Sequence, residues 1–192
     1  MSTHTEHGPS AIQDIEADRL LDFRPGTDMW WEITKSAADT HGEYLQTINH
    51  IGPSRGGPPV HIHETAQETF EVLEGRLHVL VNDAWTTLAA GQSITVPIGT
   101  AHTVDNRSGE KLVFVNTHRP ALRFEEMFRE MRALVSKGKL TLPPRGPRTA
   151  IYGAMLFTKY RDEQRVTKPP QAVFAALTRV GQALGINLDD AR

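Results

Sequence analysis

His61-Ile62-His63-Glu64-Thr65-Ala66-Gln67-Glu68, read together with Gly91-Gln92-Ser93-Ile94-Thr95-Val96-Pro97-Ile98-Gly99-Thr100-Ala101-His102, decides the fold. The two stretches set three imidazoles and one carboxylate on strand-like sequence with glycine turns between them. His61, His63, Glu68 and His102 are thus a first shell suited to a divalent transition metal. Side chains at i and i+2 on a strand share a face, roughly 6 to 7 Å apart, so His61 and His63 aim at one point. Glu68 lies at an odd offset from His63, and the polar segment between them predicts a turn that folds Glu68 back alongside the histidines. Glu68, Phe70 and Val72 then alternate with Thr69, Glu71 and Leu73 in a half-buried strand pattern. Leu73-Glu74-Gly75-Arg76 predicts a tight hairpin at its end.

The second stretch has the same logic. Gly91 opens a strand over Gln92 to Val96, Pro97-Ile98-Gly99-Thr100 is a loop signal, and His102 begins the next strand, with Asn106 at its end. Outward from this centre, Met29 to Thr34, Glu43 to Ile51, Arg76 to Val81, Trp85 to Leu88 and Lys111 to Thr117 read as further strands, with Asn82-Asp83 a hairpin turn. Many short strands between Gly, Pro and Asn turns predict a barrel or sandwich. Residues 1–27 read as a tail that becomes helical around Ala11 to Leu21, and 28–120 as the barrel. Residues 121–192 read as a helical extension. In it, Phe124, Met127, Phe128, Met131, Leu134 and Val135 recur at helical spacing before Lys137-Gly138. A second helix is predicted over Ala150 to Tyr160. A third follows Pro169-Pro170, with Val173, Ala176, Leu177, Val180 and Leu184 on one face and Gly185 as its stop. These helices are expected to pack against the barrel, its mouth or a partner subunit. A lid or membrane-touching role for Ile151 to Phe157 is the minor reading.

Taken together, His61-x-His63-x4-Glu68-x6-Gly75 and Gly91-x5-Pro97-x-Gly99-x2-His102-x3-Asn106 resemble the two motifs of the cupin superfamily. The family's leading glycine would fall at Arg55, and Gly56 or Gly57 is expected to replace it. The resemblance covers about residues 28 to 118. It implies a mainly β fold, a double-stranded β-helix or jelly-roll barrel carrying a C-terminal α-helical extension. It also implies His61, His63, Glu68 and His102 as ligands of Fe, Mn, Ni, Co or Zn.

Composition sets outer bounds. Lys and Arg number 21 against 23 Asp and Glu, so no basic surplus points to nucleic acid. Cysteine is absent, which leaves only nitrogen and oxygen to hold a metal and suits a reducing cytoplasm. The polar start predicts no signal peptide, and no run is long enough for a membrane span. A homodimer paired through barrel edges is expected. His4, His7, His41 and His50 read as surface residues, His78 as facing away from Leu77 and Val79, and His118 as a hydrogen-bonding residue rather than a fifth ligand. Of Trp30 and Trp31, one is expected to face the interior.

A metal with open positions beside a carboxylate permits O2 activation, Lewis-acid stabilisation of an enediolate, or activation of water, with Glu68 as a general base in each. Resemblance to single-domain cupins, including quercetin-dioxygenase-like ones, places the dioxygenase first. It would act on an enolisable or aromatic small molecule, since Phe70, Val72 and Val104 surround the ligands with apolar groups. Arg55, in the loop before the motif, is the one nearby cation that would change this. The alternatives are a Lewis-acid isomerase or decarboxylase, and a non-catalytic cupin that binds a small ligand.

Overall fold

The computed structural model describes residues 12–24, 27–53 and 55–191. His4 and His7 lie outside them, as does the Arg55 side chain. Alternating sequence becomes strand where one face finds a core. The strands are β1 (Leu20–Asp22), β2 (Met29–Lys35), β3 (Leu45–Ile51), β4 (Arg55–Gly56), β5 (Val60–Ile62), β6 (Gln67–Glu74), β7 (Arg76–Val81), β8 (Ala84–Ala89), β9 (Ser93–Val96), β10 (His102–Asn106) and β11 (Leu112–Arg119), with β12 (Arg165–Lys168) far along the chain. They form two antiparallel sheets, ordered β1-β2-β3-β11-β6-β9 and β12-β5-β10-β7-β8, with β4 also paired to β10. This is the expected mainly β jelly roll with C-terminal helices.

Two expectations fail here. The hairpin predicted at Gly75 is instead a corner between sheets, because β6 pairs with β11 and β9 whereas β7 pairs with β10 and β8. Gly75 has φ +81°, and a Cβ there would stand 2.3 Å from the Lys111 carbonyl oxygen, so the crossing needs glycine on both counts. The helix predicted over Ala11 to Leu21 is also absent from the described part. Ile12–Asp14 makes a 3-10 turn, and Leu20 to Asp22 pair in register with Glu32 to Trp30. A short isolated helix is marginal in water, whereas β2 offers an open edge and Leu21 a fully buried seat. The leading glycine of the motif also becomes definite. A Cβ on Gly57 would sit 1.7 Å from the Val104 carbonyl oxygen, whereas at Gly56 it would meet nothing.

The core has two parts. Phe70, Val72, Leu77, Val79, Leu88, Val96, Leu112 and Phe114 fill the barrel. The larger cluster joins Leu21, Phe23, Ile33 and Leu45 of the first sheet region to the helices α1 (Phe124–Ser136) and α2 (Pro147–Lys159). Ile151 to Leu156 are buried within it, so that apolar run is core rather than lid or membrane contact. No helix of the described residues is long and apolar enough to cross a membrane. The third helix, α3 (Gln171–Ala183), turns its other side to α2: Phe174 packs on Phe157, and Gly181 sits hard against Ile151. Of the stripe read on one face, Leu177 is half-buried while Val173, Val180 and Leu184 are exposed in the single chain.

Trp31 enters the larger core between Phe23 and Phe128. Trp30 stacks on His50 at 3.5 Å between ring centroids, and His50 is buried rather than on the surface. Neither ring nitrogen of His50 has a hydrogen-bond partner, and burial, helped by Lys111, pushes its pKa down to about 4. Above pH 6.5 the ring is neutral in both folded and unfolded chains. Below that value the unfolded chain takes up a proton that the folded one refuses until about pH 4, so stability falls on acidification. Between pH 7 and 5 this one group removes about 2 kcal/mol. Replacing His50 with Phe is expected to reduce the acid-dependent loss by about that amount in denaturant titrations at the two pH values; parallel losses in parent and variant would contradict it.

Candidate metal centre

The centre lies in the space between the sheets, with the barrel core on one side and the helix-containing core on the other. Two cross-strand pairs build it. On one sheet His102 of β10 stands directly opposite His61 of β5, their rings 4.3 Å apart. On the other sheet Glu68 of β6 stands directly opposite His118 of β11. His63 follows β5, and Glu64 to Ala66 carry the chain across to the second sheet, which is how an odd offset still delivers Glu68 to the same point. The backbone N–H of Gly99 donates to the His63 carbonyl at 2.8 Å and ties the second motif's loop to the first. Asn106 closes its end of the barrel, donating to the carbonyls of Gly52 and Glu110.

All four predicted ligands are buried, and their ligand atoms lie within 4.8 Å of one another. The protonation pattern is set by the backbone. His61 Nδ1 lies 2.8 Å from the Pro59 carbonyl, His63 Nδ1 2.6 Å from Glu163 and His102 Nδ1 2.9 Å from Thr100. A carbonyl oxygen only accepts, so each Nδ1 carries the hydrogen and each neutral ring is left with a lone pair at Nε2. Two of those lone pairs point at a carboxylate: His102 Nε2 is 2.7 Å and His63 Nε2 3.1 Å from Glu68 Oε2. Acceptors facing acceptors inside a protein call for a cation between them. Neighbouring donors at right angles, each about 2.1 Å from one ion, would stand about 3 Å apart, close to the two distances from Glu68 Oε2.

Without an ion, protons take up part of this role. Burial would lower the His102 pKa, but the hydrogen bond to Glu68 and its charge outweigh burial and raise it. Burial would raise the Glu68 carboxyl, but the charge of His118 and the bonds from His102, His118 and His63 hold it well below the usual range. His61 is pushed well down by burial and by the two neighbouring imidazoles.

Four contributors were not anticipated as parts of the site. Asn116 Nδ2 donates to Glu68 Oε1 at 2.8 Å, and His118 Nε2 lies 3.1 Å from the same oxygen. His118, read as a hydrogen-bonding residue and not as a fifth ligand, thus stands against the carboxylate of a predicted ligand. The alternation Leu112, Phe114, Asn116, His118 along β11 was the available signal. The other two come from the C-terminal extension: the Glu163 carbonyl that orients His63, and Phe124, whose ring lies 4.9 Å from His63 and 4.0 Å from His118. β12 pairs with β5, placing Val166 beside His61. The extension therefore closes the centre.

A metal that binds these ligands stabilises the fold by mass action, about 2.7 kcal/mol at a hundred times its dissociation constant. Zn(II) or Co(II) added to chelator-treated protein is expected to raise the unfolding midpoint by several degrees at pH 7.5. The shift should shrink near pH 5, where His102, its pKa raised by Glu68, must give up its proton to bind. An equal shift at both pH values would contradict ligation by His102.

No curated protein matches the chain. Among solved structures, an RmlC-like cupin from Shewanella frigidimarina NCIMB 400 is similar over 60% of this chain and 93% of its own, at 21% identity and a TM-score of 0.47. KdgF from Halomonas sp. is similar over 54% of this chain and 89% of its own, at 16% identity and 0.46. A predicted oxalate decarboxylase from Thermotoga maritima is similar over 48% and 80%, at 19% identity and 0.45. None of these bears on what this chain binds. Residues 48–118 match the family model of the cupin domain. With both motifs filled, two antiparallel sheets and C-terminal helices give this segment the jelly-roll form of the cupin fold.

Proposed function

We propose that His61, His63, Glu68 and His102 hold a divalent transition metal and that the protein is a small-molecule metalloenzyme of the dioxygenase type, acting on an enolisable or aromatic substrate. The observation that carries this reading is the convergence of buried imidazole lone pairs on Glu68 Oε2. When bound, the ion would supply a Lewis acid for the substrate's enolate oxygen and, if Fe, Mn, Co or Ni, a route for electrons to O2.

The chain's own residues supply the rest. Glu68 Oε2 faces the histidines and would accept a proton from an enolisable substrate only when it is not ligating the ion, while Oε1 stays with Asn116 and His118. Phe70, whose ring centroid is 6.5 Å from that of His102, and Phe124 beside His63 make the surroundings apolar, which favours a neutral or aromatic molecule. The same rings and the strand β12 keep water from the ligands, which strengthens every charge interaction inside. Glu163, whose carbonyl orients His63, lies within that cover.

The test is an oxygen-electrode screen of protein loaded separately with Fe(II), Mn(II), Co(II) and Ni(II), against flavonols, diketones and other enolisable compounds. Oxygen uptake is expected to depend on the metal, and to fall by about a hundredfold or more in Glu68→Gln. Turnover of a compound with no oxygen uptake would overturn the dioxygenase reading in favour of Lewis-acid isomerisation or decarboxylation. Ligand-induced stabilisation with no turnover would overturn it in favour of a binding protein.

A further inference from the structure

The two oxygens of Glu68 are treated unequally. Oε2 faces the Nε2 atoms of His63 and His102, whereas Oε1 is engaged from the opposite side by Asn116 Nδ2 at 2.8 Å and His118 Nε2 at 3.1 Å. The sheet sets this division. His118 stands directly opposite Glu68 on neighbouring strands, and Asn116 opposite Phe70, so both side chains rise on the Glu68 face at adjacent and diagonal positions.

The polarity of both contacts is fixed by chemistry. An ionised carboxylate only accepts, so the amide must present its NH2 group and the imidazole its Nε2–H. His118 is then left with a lone pair at Nδ1, which is buried without a hydrogen-bond partner beneath the rings of Phe124 and Phe128. With no bond at Nδ1 to draw the ring elsewhere, it remains turned toward Glu68. Asn116 and His118 are both buried, so water does not compete for Oε1.

We propose that Asn116 and His118 form a clamp that restricts Glu68 to one-oxygen ligation and thereby keeps a coordination position open for substrate. A carboxylate can bind a metal through one oxygen or both. Three imidazoles and one oxygen leave two positions free on an octahedral ion, and chelation by both oxygens would close one of them. The clamp makes chelation cost one buried hydrogen bond, from Asn116, and one close imidazole–carboxylate contact, from His118. Asn116 and His118 are positioning residues here, acting through Glu68 rather than on substrate. The inference rests on the metal reading above.

The test loads the full chain with Co(II) and titrates azide, a small anion that binds through one nitrogen, following the visible absorption of the ion. The parent is expected to bind azide. The double variant Asn116→Leu with His118→Phe, compared at equal cobalt content, is expected to bind it about tenfold more weakly, because the released Oε1 competes for the same position. Equal azide affinity in parent and variant at equal cobalt content would overturn the clamp. If the double variant does not fold, Asn116→Leu alone carries the comparison, with weaker azide binding expected and unchanged binding contradicting it. A parent that takes up no Co(II) would overturn the metal reading itself, a result distinct from failure of the clamp.

Discussion

A carboxylate withdrawn from water loses several kcal/mol of hydration, and the protein must replace that hydration with fixed partners. Glu68 is nearly fully buried between two sheets, and much of the architecture around it answers this demand. One of its oxygens is held by Asn116 and approached by His118; the other confronts two imidazoles whose hydrogens the backbone has already claimed. The first arrangement is satisfied without help. The second becomes favourable when a cation lies among the lone pairs, so the site is polarised toward metal on one side and finished as ordinary protein on the other.

The jelly roll makes that arrangement possible because its two sheets face each other across the barrel. His61 and His102 come from one sheet as a register-matched pair, and Glu68 and His118 from the other in the same way. Only His63 lies on the connection, and it is steadied through the Glu163 carbonyl, far along the sequence. The C-terminal segment is therefore part of the centre: it adds β12 beside β5, seats Phe124 against two imidazoles, and shares one apolar core with β1 to β3. Motion or loss of that segment would change the hydration and orientation of the ligands as well as the stability of the fold.

The ligands were legible because their spacing encodes a local geometry. His61-x-His63 is a period-two signal, and the glycines and proline mark turns whose residue preferences are strong. The three C-terminal helices were legible from apolar recurrence. What escaped was decided by tertiary contacts. Whether Gly75 makes a hairpin or a crossing depends on which strands β6 and β7 find, and the packing of Gly75 against Lys111 is invisible in a linear reading. Ala11 to Leu21 reads as a helix, but at its end Leu20 and Leu21 take the free edge of β2 instead. His50 reads as a surface residue from its place near a strand end, yet Trp30 covers it. His118 and Asn116 fall on the inward face of a strand that was identified, but their role requires knowing that β11 lies against β6 in that register.

The central claim is that the four converging side chains hold one metal ion. Elemental analysis of the purified protein beside His61→Ala and His102→Ala tests it most directly. The account predicts close to one transition-metal ion per chain in the parent, as isolated or after incubation with Fe(II), Mn(II), Co(II), Ni(II) or Zn(II), and loss of that ion in both variants. A parent that takes up none of these metals, or variants that retain the parent's metal content, would contradict it.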